Sequence, residues 1–359
     1  KVRLRITVKG NDEKFVSIYS DTFNVRIEKA PLFRTISFLK ESNETALNQD
    51  FTVDISSGSA SLESPLIGSP LLAASFDAGD AKVYVNGVEQ ISGVTVNDYS
   101  SPVTFTVRSK IEYTFTVSLL YSTLPKVFIE TPGGREIPSK WEDWLSGSTV
   151  TVYNPDWTVN YSGQTGIRGR GNSTWSYPKK PYALKLDSKA EILGMPKHKR
   201  WVLLANWKDK SLIRNHIAFG IARTFTENLD GSIPWNVHGQ FVEVVYNGVH
   251  IGNYYLCEQI KIDENRLAIN EPYDEEDAYS GNAAGYGYLL ESDDGYDEKW
   301  KFMTKMYIPF LFKDDGNDEM LSYAQNLVRG VEDNLRNGNY STAYNTLDLT
   351  SMVDFLLIQ

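Results

Sequence analysis

The first 121 residues alternate between apolar and polar positions. Val2, Leu4, Ile6 and Val8 are set against Arg3, Arg5 and Thr7, the period of two expected of a strand with one buried face. The run from Val83 to Val88 places Asn86-Gly87 between strand formers and predicts a tight hairpin. Val103, Phe105 and Val107 alternate with threonines. Ile111, Tyr113, Phe115, Val117 and Leu119 alternate with mostly polar residues, which predicts a second hairpin. The Ser- and Gly-rich stretch from Ser56 to Pro70 reads as an exposed loop. Short strands separated by turn signals predict all-β, Ig-like sandwich modules. Residues 1–29 would be the closing strands of one module and residues 30–121 a second. Sandwich folds do not specify function, so spacers are the plainest reading.

From residue 122 onward the pattern is mixed and predicts an α+β domain over 122–359. Val150 to Tyr153 and Tyr182 to Leu186 read as strands. Lys208 to Phe225 reads as a helix, with Ile213, Ile217, Ile221 and Phe225 four apart and Asp209 or Ser211 as its cap. Phe241 to Glu258 reads as a long hairpin turning at Asn247-Gly248, and Trp201, Trp207 and Leu203 to Asn206 read as core. A further helix begins at Ser351. Its apolar stretch at 352–358 carries no Gly, Asn or Pro to end it. The domain is therefore expected to be truncated at its C-terminus and the native chain to continue past Gln359.

Composition narrows the classes. The 359 residues are 41% hydrophobic and 23% charged, enough for sizeable cores. The formal net charge of −10 argues against nucleic acid as the main partner. No apolar run approaches the roughly 18 residues of a membrane span. Cys257 is the single cysteine, so no intrachain disulfide forms. His198, His216, His238 and His250 show no metal-ligand spacing, and no nucleophile elbow is present.

Candidate chemistry concentrates in Gly166 to Leu186. Gly169 and Gly171 would let backbone N–H groups approach an anion. Arg168 and Arg170 alternate onto one face, where their planar forks suit phosphate oxygens. Asn172 and Ser173 lie in the following turn, and Lys185 sits on a strand between Leu184 and Leu186. The spacing completes neither a dinucleotide fingerprint nor a P-loop, so a solvated turn with surface arginines stays open beside a phosphate loop. Asp209 and Arg214 fit a helix cap plus a surface charge. Glu258 adjoins Cys257, so one of the two faces inward, and a buried carboxylate would need a cationic partner. The acidic residues Asp274 to Asp277, Glu291, Asp293, Asp294, Asp297 and Glu298 lack EF-hand spacing and fit a solvated loop.

Four stretches, taken together, resemble the spore coat protein H (CotH) family of atypical protein kinases. They are IRGRGNSTWSYPKKPYALKL (from Ile167), WVLLANWKDKSLIRNHIAFGIAR (from Trp201), EVVYNGVHIGNYYLCEQIKIDENRL (from Glu243) and GYGYLLESDD (from Gly285), in the family's order. The resemblance covers roughly Leu124 to Gln359. It implies a protein-kinase-like fold, ATP and Mg²⁺ as cofactors, and phosphoryl transfer to Ser or Thr of a protein substrate. The sandwich modules, and not the resemblance, suggest an extracellular, cell-surface or periplasmic location. Lys185 would contact nucleotide phosphates, and Arg168, Arg170, Asn172 and Ser173 would form part of the phosphate-facing loop. Asp209, Arg214 and Glu258 would support them. The helix from Ser211 to Thr224 would take the place of the regulatory helix, and the Phe241–Glu258 hairpin would lead to the hinge. The family's catalytic Asn/Asp loop and metal-binding segment lie beyond the stretches present. The chain itself is thus expected to hold no catalytic residue and no metal, to be inactive, and to bind ATP with Mg²⁺ weakly or not at all. The alternative is a non-catalytic surface adhesion module that binds carbohydrate or protein, for which 8 Trp, 21 Tyr and 16 Phe would serve.

Overall fold

The computed structural model describes residues 5–9, 15–19, 34–44, 46–47, 50–55, 59–67, 69–109, 112–228, 235–270, 281–293, 299–313 and 315–358. The chain divides into two units, Lys1–Thr123 and Leu124–Gln359. The division expected at residues 29 and 30 falls outside the described residues.

The first unit is built from strands. β1 (Arg5–Lys9) pairs with β2 (Phe15–Tyr19), and β3 (Thr35–Phe38) with β4 (Phe51–Asp54), both antiparallel. The remaining strands are β5 (Ser59–Ile67), β6 (Leu71–Ala73), β7 (Lys82–Val85), β8 (Val88–Glu89), β9 (Val96–Asp98), β10 (Val103–Arg108) and β11 (Glu112–Tyr121). Five of them form a sheet in the order β5-β11-β10-β7-β8, and β6 pairs with β9. The β7–β8 turn holds Asn86 at φ 50° and Gly87 at φ 80°, the left-handed pair that a two-residue hairpin requires. Phe105 faces Phe115 across β10 and β11 with ring centroids 5.1 Å apart, in a core shared with Phe38 and Tyr99. The stretch expected to be a loop at Ser56 to Pro70 instead supplies β5, which runs parallel to β11. Ladder hydrogen bonds come from the backbone, so a serine-rich segment pairs wherever a partner edge is available, whatever its propensity.

The second unit is organised by a closed barrel. Its strands are β12 (Lys126–Glu130), β13 (Leu145–Tyr153), β14 (Val159–Gly169), β15 (Tyr182–Ile192), β16 (Met195–Leu204), β17 (Gly239–Tyr246) and β18 (Val249–Glu258). They run in the order β12-β13-β14-β15-β16-β18-β17, and the parallel pair β12–β17 closes the ring. Alternation fills the interior with Val127, Ile129, Val152, Ile167, Leu184, Trp201, Leu203 and Leu256. Each such side chain contributes about 1.5–3 kcal/mol on burial. The β17–β18 turn repeats the Asn-Gly solution, with Asn247 at φ 48° and Gly248 at φ 76°.

The helix α1 (Arg214–Asn228) packs on the outside of the barrel. It starts six residues later than the periodicity predicts. The Asp209 carboxylate accepts from Ser211 N–H (3.0 Å), Ser211 Oγ (2.6 Å) and Arg214 N–H (2.8 Å), which holds 209–212 as a turn and caps the helix from a distance. Ile213, Ile217 and Ile221 are exposed. The packed face carries Phe219 and Ala222 instead, with Phe219 against Val202, Tyr255 and Cys257. Trp201 is fully buried as expected of core, whereas Trp207 is half exposed, because Asn206 turns left-handed at φ 48° directly before it.

Beyond the barrel lie β19 (Leu290–Glu291), β20 (Lys301–Met303) and β21 (Pro309–Phe312), in the order β19-β21-β20. α2 (Asp318–Arg336) buries Met320 and Ala324 against Phe302 and Phe312. Asn317 caps it by accepting from Glu319 N–H (3.0 Å) and Met320 N–H (2.9 Å). α3 (Tyr340–Tyr344) contacts α2, and α4 (Leu349–Ile358) contacts α1. Among the described residues no helix is long and apolar enough to cross a membrane.

Candidate nucleotide-facing cleft

β14 sends alternate residues to opposite sides of the barrel wall. Ile167 and Gly169 face in, and Arg168 and Arg170 face out. The two arginines then part. The Arg168 guanidinium lies 4.6 Å from the centre of the Trp144 ring, and Arg200 lies 4.7 Å from the same ring. Trp144 covers Gly166, where an added Cβ would meet its side chain at 3.3 Å. Lys185 pairs with Gly166 on one side and Arg200 on the other, is exposed, and lines neither cavity described below.

Arg170 stands where two cavities adjoin. The first, about 370 Å³, has an apolar wall of Val202, Leu204, Phe219, Cys257, Leu289 and Leu290. The end of β18 forms its edge through Glu258, Gln259 and Ile260, and Glu291 and Lys313 lie opposite. The second, about 210 Å³, mixes Thr174, Lys179, Asn206 and Lys208 with Tyr177, Pro181 and Trp207 in its wall. Arg170 and Leu204 line both. Burial holds the pKa of the Arg170 guanidinium below the usual arginine range, with Cys257 and Glu291 opposing the shift and Arg168 adding to it. Its side chain makes no hydrogen bond or ion pair among the described residues.

The other cations around the cleft are engaged. Lys313 pairs with Glu291 at 2.5 Å. Lys179 donates to the Asn253 carbonyl and lies 4.4 Å from the centre of the Tyr254 ring. Lys180 donates to the Trp175 carbonyl at 2.7 Å. Lys208 sits over the Tyr177 ring at 4.9 Å. Arg214 is highly exposed and lies 3.6 Å from Asp209. Glu258 is fully buried and meets Arg266, also fully buried, at 2.6 Å. Its other oxygen accepts from the His238 backbone N–H at 2.9 Å and lies 2.9 Å from His238 Nδ1. Glu258 thus has the cationic partner that its burial demands, and the partner comes from eight residues downstream.

The loop after Arg170 is held by its own packing. Gly171 is left-handed at φ 84°, and an added Cβ would lie 2.0 Å from Thr174 Oγ1. At Gly169 an added Cβ would strike the Trp175 ring at 2.5 Å. Both glycines are accounted for by close packing, whether or not an anion is present. Asn172 and Ser173 are exposed. Asn172 accepts from Lys140 Nζ (2.8 Å) and donates to Asp293 (3.1 Å), tying the loop to the segment that follows β19. Both oxygens of Asp209 are occupied by the cap. Among the described residues no group of three or more His, Cys, Asp or Glu side chains is placed to hold a metal ion. Asp274 to Asp277 and Asp294 to Glu298 lie outside the described residues.

The fold and cleft define a β-barrel domain with a two-part cavity in its outer wall. A family model described as CotH kinase protein matches residues 167–359, more than half of the chain, and the chain belongs to that family. No curated protein matches it.

Sequence reasoning missed Gln259. The residue lines the larger cavity, and its side-chain Oε1 is buried with no hydrogen-bond partner among the described residues. A glutamine at a strand end carries no periodic or motif signal, and only the cavity around it distinguishes it.

Proposed function

We propose that the cleft binds a nucleoside triphosphate, ATP by the family's resemblance, as the nucleotide-binding part of an atypical kinase that phosphorylates Ser or Thr of a protein substrate. Arg170 carries this reading. It is a partly buried cation without a hydrogen bond or ion pair among the described residues, and it stands where the two cavities adjoin. Burying such a charge is unfavourable unless something pairs with it, and a guanidinium suits phosphate oxygens. A ligand with a flat apolar ring and an anionic tail would set the ring against Phe219, Leu289 and Leu290 and the anion on Arg170. The first cavity has the volume expected for small-molecule sites, about 300–1,000 Å³.

Titration with a fluorescent N-methylanthraniloyl ATP, displaced by unlabelled ATP and by tripolyphosphate, tests the reading. Saturable binding that both competitors reverse is the expected result. No binding at millimolar nucleotide would sink it. Display outside the cell belongs to the same proposal, supported by the β-rich unit that precedes the barrel. Protease treatment of intact cells should remove the protein, and full protection would contradict that part.

A second reading, as an attachment module, is favoured by the exposed apolar residues Ile217 and Ile221 of α1 and Phe355, Leu356 and Leu357 of α4. It predicts surface attachment that Arg170→Met leaves intact. Attachment abolished by that substitution would tie it to the cleft instead.

A further inference from the structure

We infer that a third cavity, which adjoins the second, is a subsite for the acceptor protein and takes an aromatic side chain with a carboxylate beside it. The inference rests on the nucleotide reading above and deepens it by naming the chemistry of the acceptor. The cavity measures about 380 Å³. Its wall carries Tyr182, Trp207, Ile251 and Tyr254, together with Pro178 and Lys179. Lys179 and Trp207 also line the second cavity, which Arg170 and Leu204 join to the first. The three cavities therefore follow one another. With the nucleotide ring in the first and its phosphates on Arg170, the tail leads into the second. A phosphoryl acceptor meets the terminal phosphate from the end of that tail, in line with the bond that breaks. The third cavity lies beyond that end.

The wall limits what the occupant is. Trp207 offers a half-exposed indole, turned out of the core by the left-handed backbone at Asn206. Tyr182 and Tyr254 are buried behind it, with ring centroids 6.4 Å apart. The Tyr254 hydroxyl donates to the Lys180 carbonyl at 2.9 Å, which fixes that floor. An indole beside a fixed aromatic floor suits a flat ring. The charge comes from Lys179. Its ammonium donates to the Asn253 carbonyl and lies over the Tyr254 ring, against the floor of the cavity. It makes no ion pair among the described residues. Burial holds its pKa below the usual lysine range. Glu243, which opposes that shift, is itself paired with His250 at 2.9 Å. Lys180 turns its ammonium to the Trp175 carbonyl, and Trp175 is not part of this wall. A carboxylate carried by the ligand gives Lys179 the counter-charge it lacks.

The test uses three dipeptides. Acetyl-Asp-Phe-amide carries both groups, acetyl-Asn-Phe-amide lacks the charge, and acetyl-Asp-Ala-amide lacks the ring. Dissociation constants are measured on the full chain by saturation-transfer-difference NMR, with and without saturating ATP. Melting temperature and fluorescent-ATP binding are recorded for each protein. Wild type should bind the first dipeptide roughly tenfold more tightly than either of the others, and ATP should not displace it. Lys179→Met should bring the Asp-Phe and Asn-Phe peptides within about twofold of each other. Trp207→Ala should remove the advantage of Phe over Ala. Ile251 lines the third cavity and neither of the other two. Ile251→Ala should therefore weaken the first dipeptide while leaving fluorescent-ATP affinity within about twofold of wild type. Equal binding of the three dipeptides by wild type, or binding of none, overturns the inference. So does a preference that Lys179→Met and Trp207→Ala both leave intact, or displacement of the dipeptide by ATP. In each of these cases ATP still binds and the nucleotide reading stands. Absence of ATP binding by wild type overturns that reading and the acceptor role with it. Should one variant fail to fold, the others and the wild-type comparison decide the matter.

Discussion

Replacing Arg170 with methionine separates a ligand-binding arginine from a structural one, because the two predict opposite signs. Methionine keeps the length and apolar stem and removes the charge. In the ligand-free protein Arg170 has no ion pair or hydrogen bond among the described residues, and burial opposes its charge. Removing it forfeits no polar contact and relieves part of that burial cost. The expected gain is on the order of 1 kcal/mol, which for a unit of this size raises the melting temperature by about 2–4 °C. Binding moves the other way. A charge-assisted contact to phosphate is worth about 1.5–3 kcal/mol, so nucleotide should bind on the order of 10- to 150-fold more weakly. Thermal melting and fluorescent-nucleotide titration of the same preparations read both quantities. Lys185→Met is the control. It is exposed and outside both cavities, so its stability effect should fall within about 0.5 kcal/mol and its binding effect below that of Arg170→Met. A melting temperature several degrees lower with unchanged affinity would make Arg170 structural. A larger binding loss at Lys185 would return the phosphate contact to the lysine that the family resemblance points to.

Glu258→Gln should destabilise the protein by about 3–5 kcal/mol in denaturant unfolding, since it strands the fully buried Arg266. Combining it with Arg266→Met should recover part of that loss, and strict additivity of the two would count against a coupled pair. Gly171→Ala should cost about 1–2 kcal/mol from its left-handed backbone alone, and an unchanged melting temperature would show that the loop relaxes freely. Burial pushes the Cys257 thiol up to about 12. Iodoacetamide at pH 8 should therefore leave it unmodified in the folded protein and alkylate it in denaturant. Because the folded state holds this proton more tightly than the unfolded one, Cys257 contributes stability that is intact below about pH 8.5 and lost as pH rises toward 12. A Cys257→Ala variant that falls off in parallel with wild type over that window would remove Cys257 as the cause.

The parts of the fold legible in the sequence are those fixed by local rules. Asn86-Gly87 and Asn247-Gly248 announce their hairpins because few other residues accept two successive left-handed positions. Tyr182 to Leu186 reads as strand because one face is core. The isoleucine stripe of α1 misleads, since its spacing says that three side chains share a face but not which face meets the barrel. Asp209 misleads about the helix start because its carboxylate reaches five residues ahead to Arg214. α2 carries a legible signal, Asn317 followed by Met320, Leu321, Ala324 and Val328, in a region where the sequence reading assigns nothing before Ser351. The candidate site was half legible. Alternation groups Arg168 with Arg170 and goes no further. Trp144, brought in from more than twenty residues away, occupies Arg168 and leaves Arg170 to the cavities. The closure of the barrel through the parallel β12–β17 pair rests on contacts more than a hundred residues apart, which no local pattern encodes.

The two sides of the cleft are held with unequal strength, and that difference bears on how a ligand would enter. On the β18 side Glu258 anchors the strand end through Arg266 and through the His238 backbone, all within 3 Å and without access to water on the Glu258–Arg266 pair. The end of β18 is thereby held as a rigid edge of the cleft. On the opposite side the loop that begins at Gly171 meets the β19 segment through the exposed Asn172–Asp293 hydrogen bond. An exposed bond of this kind contributes little net stability, because water replaces it when it breaks. Opening the cleft by parting that contact therefore costs far less than moving the end of β18. The β18 edge stays fixed while the loop after Arg170 yields. Asn172→Ala should then leave the equilibrium affinity for the fluorescent ATP little changed while raising the rates of its entry and release measured by stopped-flow fluorescence. Unchanged rates of entry and release would show that the Asn172–Asp293 contact does not control access to the cleft.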